Sequence, residues 1–361
     1  MTPGIEQFTS DLMIWFTKNH SDFISKMKLS NHNYNKDFPN PYHLEDDVWS
    51  HTMMVTTACK LLNGTKVQMV ASLFHDLGKP DAREVNEDKC RVGMPGHAGL
   101  SSFMCIDMLR DMIKMKWLTR DEAIQVLRIT ANHFDFFRID FNGTKTLKKF
   151  APKDNVALQE AMSFSNFDHH GRHFTPDTAG QYDREAAASF LARLATKDDD
   201  KFVHEKTNKC TLLVGPPGVG KSTYANENFK GVNIVSRDAF VENFNPSASY
   251  DDNWNQCDQS EITASLNESL QQNVKSKQDF VIDMTLMTRK ARSKMINQLS
   301  NDYSIDCVVV LEDFETVMKR QASRSLKEGK TIPVFVIKSM MKSFAWPRYG
   351  EGFENITIVG V

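Results

Sequence analysis

Residues 210–223 read Cys-Thr-Leu-Leu-Val-Gly-Pro-Pro-Gly-Val-Gly-Lys-Ser-Thr, an apolar run that breaks into G-x-x-x-x-G-K-S. A buried strand, then glycines, then a helical pattern is the context in which this motif folds as a loop around phosphate. Gly215, Gly218 and Gly220 let backbone N–H groups close on phosphate oxygens at a helix N-terminus. Lys221 is then placed for the β- and γ-phosphates and the Ser222 hydroxyl for Mg²⁺, with Thr223 beside them. The implied ligands are Mg²⁺ and ATP or another nucleoside triphosphate.

Working outward, short β-rich runs over 210–214, 233–235, 280–282 and 307–311 alternate with helical stretches, which predicts a parallel α/β sheet. Upstream, from Gly4 to about Leu194, apolar residues recur every three or four positions. Helices are expected over 11–23, 47–62, 67–77, 121–134 and 155–167, with Gly78 and Pro80 stopping the third. Residues 196–209, which include Lys-Asp-Asp-Asp-Lys, cannot bury a face and read as a linker. The chain of 361 residues is long enough for two cores. We therefore expect an all-α helical bundle over 1–200 and an α/β P-loop domain over 205–361.

Composition narrows the classes. With 40% hydrophobic and 25% charged residues the chain reads as an ordinary globular protein. It has no run approaching ~18 apolar residues, so no membrane partner is expected. The N-terminus lacks the basic start and apolar run of a secretory signal, so a cytoplasmic location is expected. Six scattered cysteines with no CxxC pair predict neither a disulfide framework nor a thiolate zinc site. A formal charge of -2 gives no global attraction for nucleic acid, so any polyanion must be held locally. Ten of the eleven histidines precede residue 175, and the last is His204 in the linker, which points to two different chemistries.

In the second half, Val-Ser-Arg-Asp-Ala-Phe (235–240) puts Asp238 at a strand's carboxyl end, where a carboxylate can take a proton from an attacking hydroxyl. Asp283 and Thr285 end another strand and are placed to position water around Mg²⁺ or the acceptor. Arg320 and Arg324 lie one helical turn apart, as charge spreading onto a transferring phosphoryl group requires. The series continues with Ile332-Pro333 and a Met-rich helix over 338–344. As a whole it resembles the 5′-OH polynucleotide kinase of bacteriophages and bacterial RNA repair. The resemblance implies Lys221 and Ser222 at the ATP phosphates and metal, Asp238 as general base on the 5′-hydroxyl, and Arg320 and Arg324 as lid arginines. Phage enzymes often carry an arginine three residues after the base to hold the substrate phosphate, and that position here is Val241.

In the first half, adjacent His75 and Asp76 close a helix, where neighbouring side chains can converge on one point. With His51 on an upstream core face and Asp168 on a downstream one, they supply imidazole and carboxylate ligands for a divalent transition ion. His97 and His133 are candidates for a second ion bridged by Asp76. The order H…HD…H…H…D, with Lys79 three residues after Asp76, resembles the HD-domain phosphohydrolase superfamily over Leu44 to Arg172. That resemblance implies one or two divalent metals (Mn, Fe, Co, Ni or Zn) activating water against a phosphoester, with Lys79 and Arg172 neutralising the scissile phosphate. His169, His170 and His173 read as exposed loop residues.

The whole chain resembles the bifunctional HD/polynucleotide kinase enzymes of RNA end healing. The resemblance implies removal of 2′,3′-cyclic, 2′- or 3′-phosphates and phosphorylation of 5′-OH ends, with RNA or DNA ends as substrate. There is no K-x-D-G nucleotidyl-lysine motif, so sealing is expected of a separate RNA ligase. Two other readings stay open: a nucleoside or small-molecule kinase fused to a nucleotide phosphohydrolase, and a non-enzymatic nucleotide-gated switch.

Overall fold

The computed structural model describes residues 3–134, 137, 139–178, 183–197 and 206–361. It divides into two units, Met1–Lys148 with Pro152–Lys197, and Lys149–Ala151 with Asp198–Val361. His204 lies outside the described residues.

The first unit is helical. The single helix expected over 11–23 is two, α1 (Pro3–Asn19) and α2 (Ser21–Lys28), because His20 leaves helical geometry at φ -132° and ψ 35°. α3 (Val48–Leu61) starts where the Asp47 carboxylate accepts from the Ser50 N–H. α4 (Lys66–Phe74) starts at a reciprocal cap between Thr65 and Gln68, a device that contributes about 1 kcal/mol. α4 ends before Gly78 and Pro80, as expected, and Pro80 sits in the first turn of a further short helix, α5 (Lys79–Ala82), where its missing N–H has no partner to lose. A small antiparallel hairpin, β1 (Glu84–Asn86) and β2 (Arg91–Gly93), was not foreseen, since three mostly exposed residues a side carry no periodic signal.

The remaining helices of this unit are α6 (His97–Met104), α7 (Ile106–Lys114), α8 (Arg120–Asn132), α9 (Thr144–Leu147), α10 (Asn155–His170) and α11 (Arg184–Ala195). Like α4, α8 begins at a reciprocal cap, here Thr119 with Glu122. α10 packs on α3, α4 and α8, and α6 packs on α8. The seam is apolar: Val55, Val70, Phe74, Val126, Leu127 and Phe164 are all fully buried. Each such side chain contributes about 1.5–3 kcal/mol, which offsets the cost of enclosing the polar cluster described below.

The second unit is built on five parallel strands, β3 (Asn208–Val214), β4 (Asn233–Ser236), β5 (Phe280–Asp283), β6 (Tyr303–Val310) and β7 (Asn355–Val359). Their order is β4-β5-β3-β6-β7. Helices α12 (Lys221–Asn228), α13 (Arg237–Glu242), α14 (Tyr250–Gln256), α15 (Gln259–Lys275), α16 (Arg289–Ile296), α17 (Phe314–Glu328) and α18 (Val334–Lys342) connect them. β7, an edge strand in which only Ile358 is buried, escaped the sequence reading. Register fixes the site: Ser236 and Leu213 both pair with Asp283, so the phosphate loop, the Asp238 turn and Asp283 leave the sheet at the same carboxyl edge. Ligands gather at that edge in open α/β sheets.

Candidate functional site

In the second unit the phosphate loop folds as its composition demands. Gly218 has φ 86°, a conformation that favours glycine, and a Cβ there would have to displace the Gln321 side-chain amide, 2.6 Å away. Lys221 Nζ turns back on the loop and donates to the Gly215 and Pro216 carbonyls at 2.9 and 3.1 Å. Burial pushes this ammonium down to about 8, against the pull of Asp283 and Asp238. Ser222 Oγ donates to Asp283 Oδ2 at 2.6 Å, which joins the motif's hydroxyl to the carboxylate ending β5. Arg320 reaches the same loop, donating to the Gly218 and Val219 carbonyls at 3.2 Å and pairing with Glu312 at 2.7 Å. Arg324, one turn on, pairs with Glu328 at 3.0 Å. A cleft of about 1070 Å³ takes in the loop, Asp238, Asp283 and both arginines.

Asp238 stands at the start of α13 with its side chain half exposed to that cleft. Its Oδ1 accepts from the Tyr250 hydroxyl at 2.8 Å and its Oδ2 from Lys330 Nζ at 2.5 Å. Burial favours the protonated acid, but the charge and hydrogen bond of Lys330, with the Tyr250 hydroxyl, outweigh it and hold Asp238 below the usual carboxylate range. Burial and the Asp238 charge raise the Tyr250 phenol, which keeps it a donor. Neither Tyr250 nor Lys330 was read from the sequence, because they come from α14 and from the turn after α17 and meet only in space. Val241 faces away from the cleft: it is fully buried against Cys257 and Ile262. An arginine there would have to enter the core, so the substrate phosphate is not held from this position. Thr285, the other strand-end candidate, spends its carbonyl on the Gly215 N–H and lines the cleft.

In the first unit the six ligand candidates converge. His51, His75 and Asp168 form one group and Asp76, His97 and His133 another, with the potential ligand atoms of each group within 4.8 Å of one another and every residue buried. Asp76 lies between them. Its Oδ2 is 3.0 Å from His75 Nε2 and 3.4 Å from His51 Nε2, and its Oδ1 is 3.4 Å from His97 Nε2. Gly78 permits this closeness, since a Cβ there would stand 2.7 Å from the His97 carbonyl oxygen.

The outer nitrogens are tied off. Nδ1 of His75, His97 and His133 lies 2.7–2.8 Å from the Ser72, Met94 and Thr130 carbonyls, which turns each Nε2 toward the cluster and, in His97 and His133, leaves it a bare lone pair. Burial lowers His97 to about 3 and His133 to about 4, so both are neutral, yet their Nε2 atoms are 3.1 Å apart. Two facing lone pairs repel unless a cation stands against both. Burial raises the Asp76 and Asp168 carboxyls, but His75 and Lys79 beside the first, and Arg172 and His51 beside the second, hold both ionised. At His51, burial and Lys79 lower the ring, but Asp168, Glu45 and Asp76 outweigh them and raise it, so the pocket draws positive charge. The donor set fits divalent transition metal.

Lys79 and Arg172 flank this centre. Lys79 Nζ is 2.7 Å from Asp76 Oδ2 and Arg172 is 2.8 Å from Asp168 Oδ2. Three further residues were missed by the sequence reading. Glu45, 6% exposed, lies 2.9 Å from His51 Nδ1 and 2.7 Å from His43 Nδ1, and accepts from the His173 backbone N–H at 3.0 Å. His32 stacks on His43 at 4.4 Å and lies 3.1 Å from Lys79 Nζ. The signal available was His43-Leu-Glu45 just upstream of His51. His169 and His170, expected in a loop, occupy the last turn of α10, and the His169 ring packs 5.0 Å from Phe174.

Comparison with known proteins places the second unit. The AAA domain family pattern matches residues 211–347. No curated protein matches the chain. Among solved structures, a chain of the Pnkp1/Rnl/Hen1 RNA repair complex is 25% identical, covering 40% of this chain and 46% of that one at a TM-score of 0.32. A gluconokinase from Sinorhizobium meliloti 1021 is 14% identical over 42% of this chain and 81% of its own, at a TM-score of 0.29. A sugar kinase from Janibacter sp. HTCC2649 is 15% identical over 42% and 84%, at 0.30. This chain thus spans less than half the length of the RNA repair protein it matches. The second unit is a P-loop domain of the kinase type, joined to a helical first unit. No described helix is long and apolar enough to cross a membrane.

Proposed function

We propose that the chain heals nucleic-acid ends with two independent sites: ATP-dependent phosphorylation of 5′-OH polynucleotide ends in the second unit, and metal-dependent removal of 2′,3′-cyclic, 2′- or 3′-phosphates at RNA ends in the first. A single observation carries the pairing. One chain holds a phosphate loop with a carboxylate facing its cleft, and also, in its other unit, a buried histidine–carboxylate cluster able to hold metal.

In the kinase cleft the loop amides and Lys221 hold the nucleotide's phosphates, and Ser222 and Asp283 are the groups that would hold Mg²⁺. Asp238, ionised by Lys330, accepts the proton of the attacking hydroxyl, and Arg320 and Arg324 neutralise charge on the transferring group. In the first unit, whose motif order resembles the HD superfamily, His51, His75, Asp76, His97, His133 and Asp168 would hold the metal. Metal bound there supplies an acidified water as nucleophile. Lys79 and Arg172, each paired with a ligand carboxylate, orient the substrate phosphate and offset its charge. A separate RNA ligase would take the healed ends.

The test is a separation of functions. Asp238→Ala is expected to abolish phosphoryl transfer to a 5′-OH oligonucleotide and leave phosphate removal intact, and Asp76→Ala to do the reverse. Equal loss of both activities in either variant contradicts independent sites. A nucleoside accepted better than an oligonucleotide contradicts the polynucleotide reading.

A further inference from the structure

Beside Asp238 the cleft carries an aromatic wall of which phosphoryl transfer uses only the Tyr250 hydroxyl. Trp254 lies on α14 one turn after Tyr250, and the two rings stack with centroids 6.1 Å apart at 22°. Tyr250 is the residue bonded to Asp238, yet Trp254 is 43% exposed and lines the same cleft. An indole left that open at a cleft keeps much of its apolar surface within reach of a ligand there. The neighbour of Asp238, Arg237, holds its guanidinium 5.8 Å from the Trp254 ring. Two of its nitrogens donate to Thr263 Oγ1 at 2.9 Å and Gln259 Oε1 at 2.6 Å. Both acceptors are neutral, so they fix the cation in place without discharging it.

We propose that this wall is the acceptor subsite: Trp254 stacks on the base of the 5′-terminal nucleotide, and Arg237 meets the phosphate linking it to the next. This deepens the kinase reading and rests on it. It supplies locally the positive charge that a net charge of -2 does not supply globally. It also replaces the grip that Val241, being buried, does not provide. Stacking accepts any base because every base has a π-face, so this subsite predicts little sequence preference at the terminus.

The experiment measures 5′-phosphorylation by the full chain on an oligonucleotide with a normal 5′-terminal base and on one with an abasic 5′-terminal sugar. For Trp254→Ala, KM for the normal oligonucleotide is expected to rise about tenfold with little change in kcat or in KM for ATP. Trp254→Phe is expected to recover most of the loss, which a folding defect would not allow. On the abasic acceptor, wild type and Trp254→Ala are expected to be equal. Unchanged KM in Trp254→Ala, or the same loss on the abasic acceptor, overturns the stacking. If wild type phosphorylates neither oligonucleotide, the kinase reading falls instead, and the two failures are thereby distinct.

Discussion

Glu45→Gln is the perturbation from which the histidine centre has most to lose without losing a ligand. The Glu45 carboxylate accepts from two N–H groups, Nδ1 of His43 at 2.7 Å and the His173 amide at 3.0 Å, and its charge stands 2.9 Å from Nδ1 of His51. A carboxylate only accepts, but a glutamine presents one oxygen and one NH₂. At least one of those two N–H groups then faces a donor, and the negative charge beside His51 Nδ1 is lost, so the ring is held less firmly with Nε2 toward the centre. Losing a buried hydrogen bond to a charged group costs about 1.5–3 kcal/mol, or about ten- to hundredfold in metal affinity. The assay is a competitive metal titration of the full chain, with phosphate removal followed as a function of free metal. Activity is expected to return at about ten- to hundredfold higher metal, with 5′-phosphorylation unchanged throughout. An unaltered titration, or a loss that added metal does not restore, would refute the positioning argument.

Other outcomes follow from the kinase cleft and the ligand cluster. Lys330→Met removes the cation that depresses Asp238, so the Asp238 pKa rises and the acidic limb of the kinase kcat/KM profile moves to higher pH; an unmoved limb argues against Asp238 as the proton acceptor. Gly218→Ala places a side chain at φ 86°, a strain of about 1–3 kcal/mol, and KM for ATP is expected to rise about tenfold or more, measured with the acceptor saturating. His133→Ala leaves the His97 lone pair unopposed and is expected to lower the metal count of the dialysed protein, read by elemental analysis, while 5′-phosphorylation persists.

Much of this was legible in the chain because local chemistry set it. The glycines of the phosphate loop, the strand before them and the helix after them are forced by backbone geometry. Asp76 following His75 placed a carboxylate between two histidine groups. What escaped was what the chain closes only in three dimensions. Lys330 reaches Asp238 across 92 residues, and Glu45 is a carboxylate in a polar stretch whose only cue is two histidines nearby. The short helix α5 escaped because Pro80 reads as a stop for the helix before it but fits the first turn of the next equally well. Val241 drew attention by its distance from Asp238, but α13 turns it into the core.

The most direct trial uses one RNA carrying a 2′,3′-cyclic phosphate and a 5′-OH, incubated with the full chain, ATP and Mn²⁺ or Ni²⁺, with both termini read by mass spectrometry. A product with a 5′-phosphate and a free 2′,3′-diol is the predicted result. An RNA recovered with both ends unchanged would contradict it.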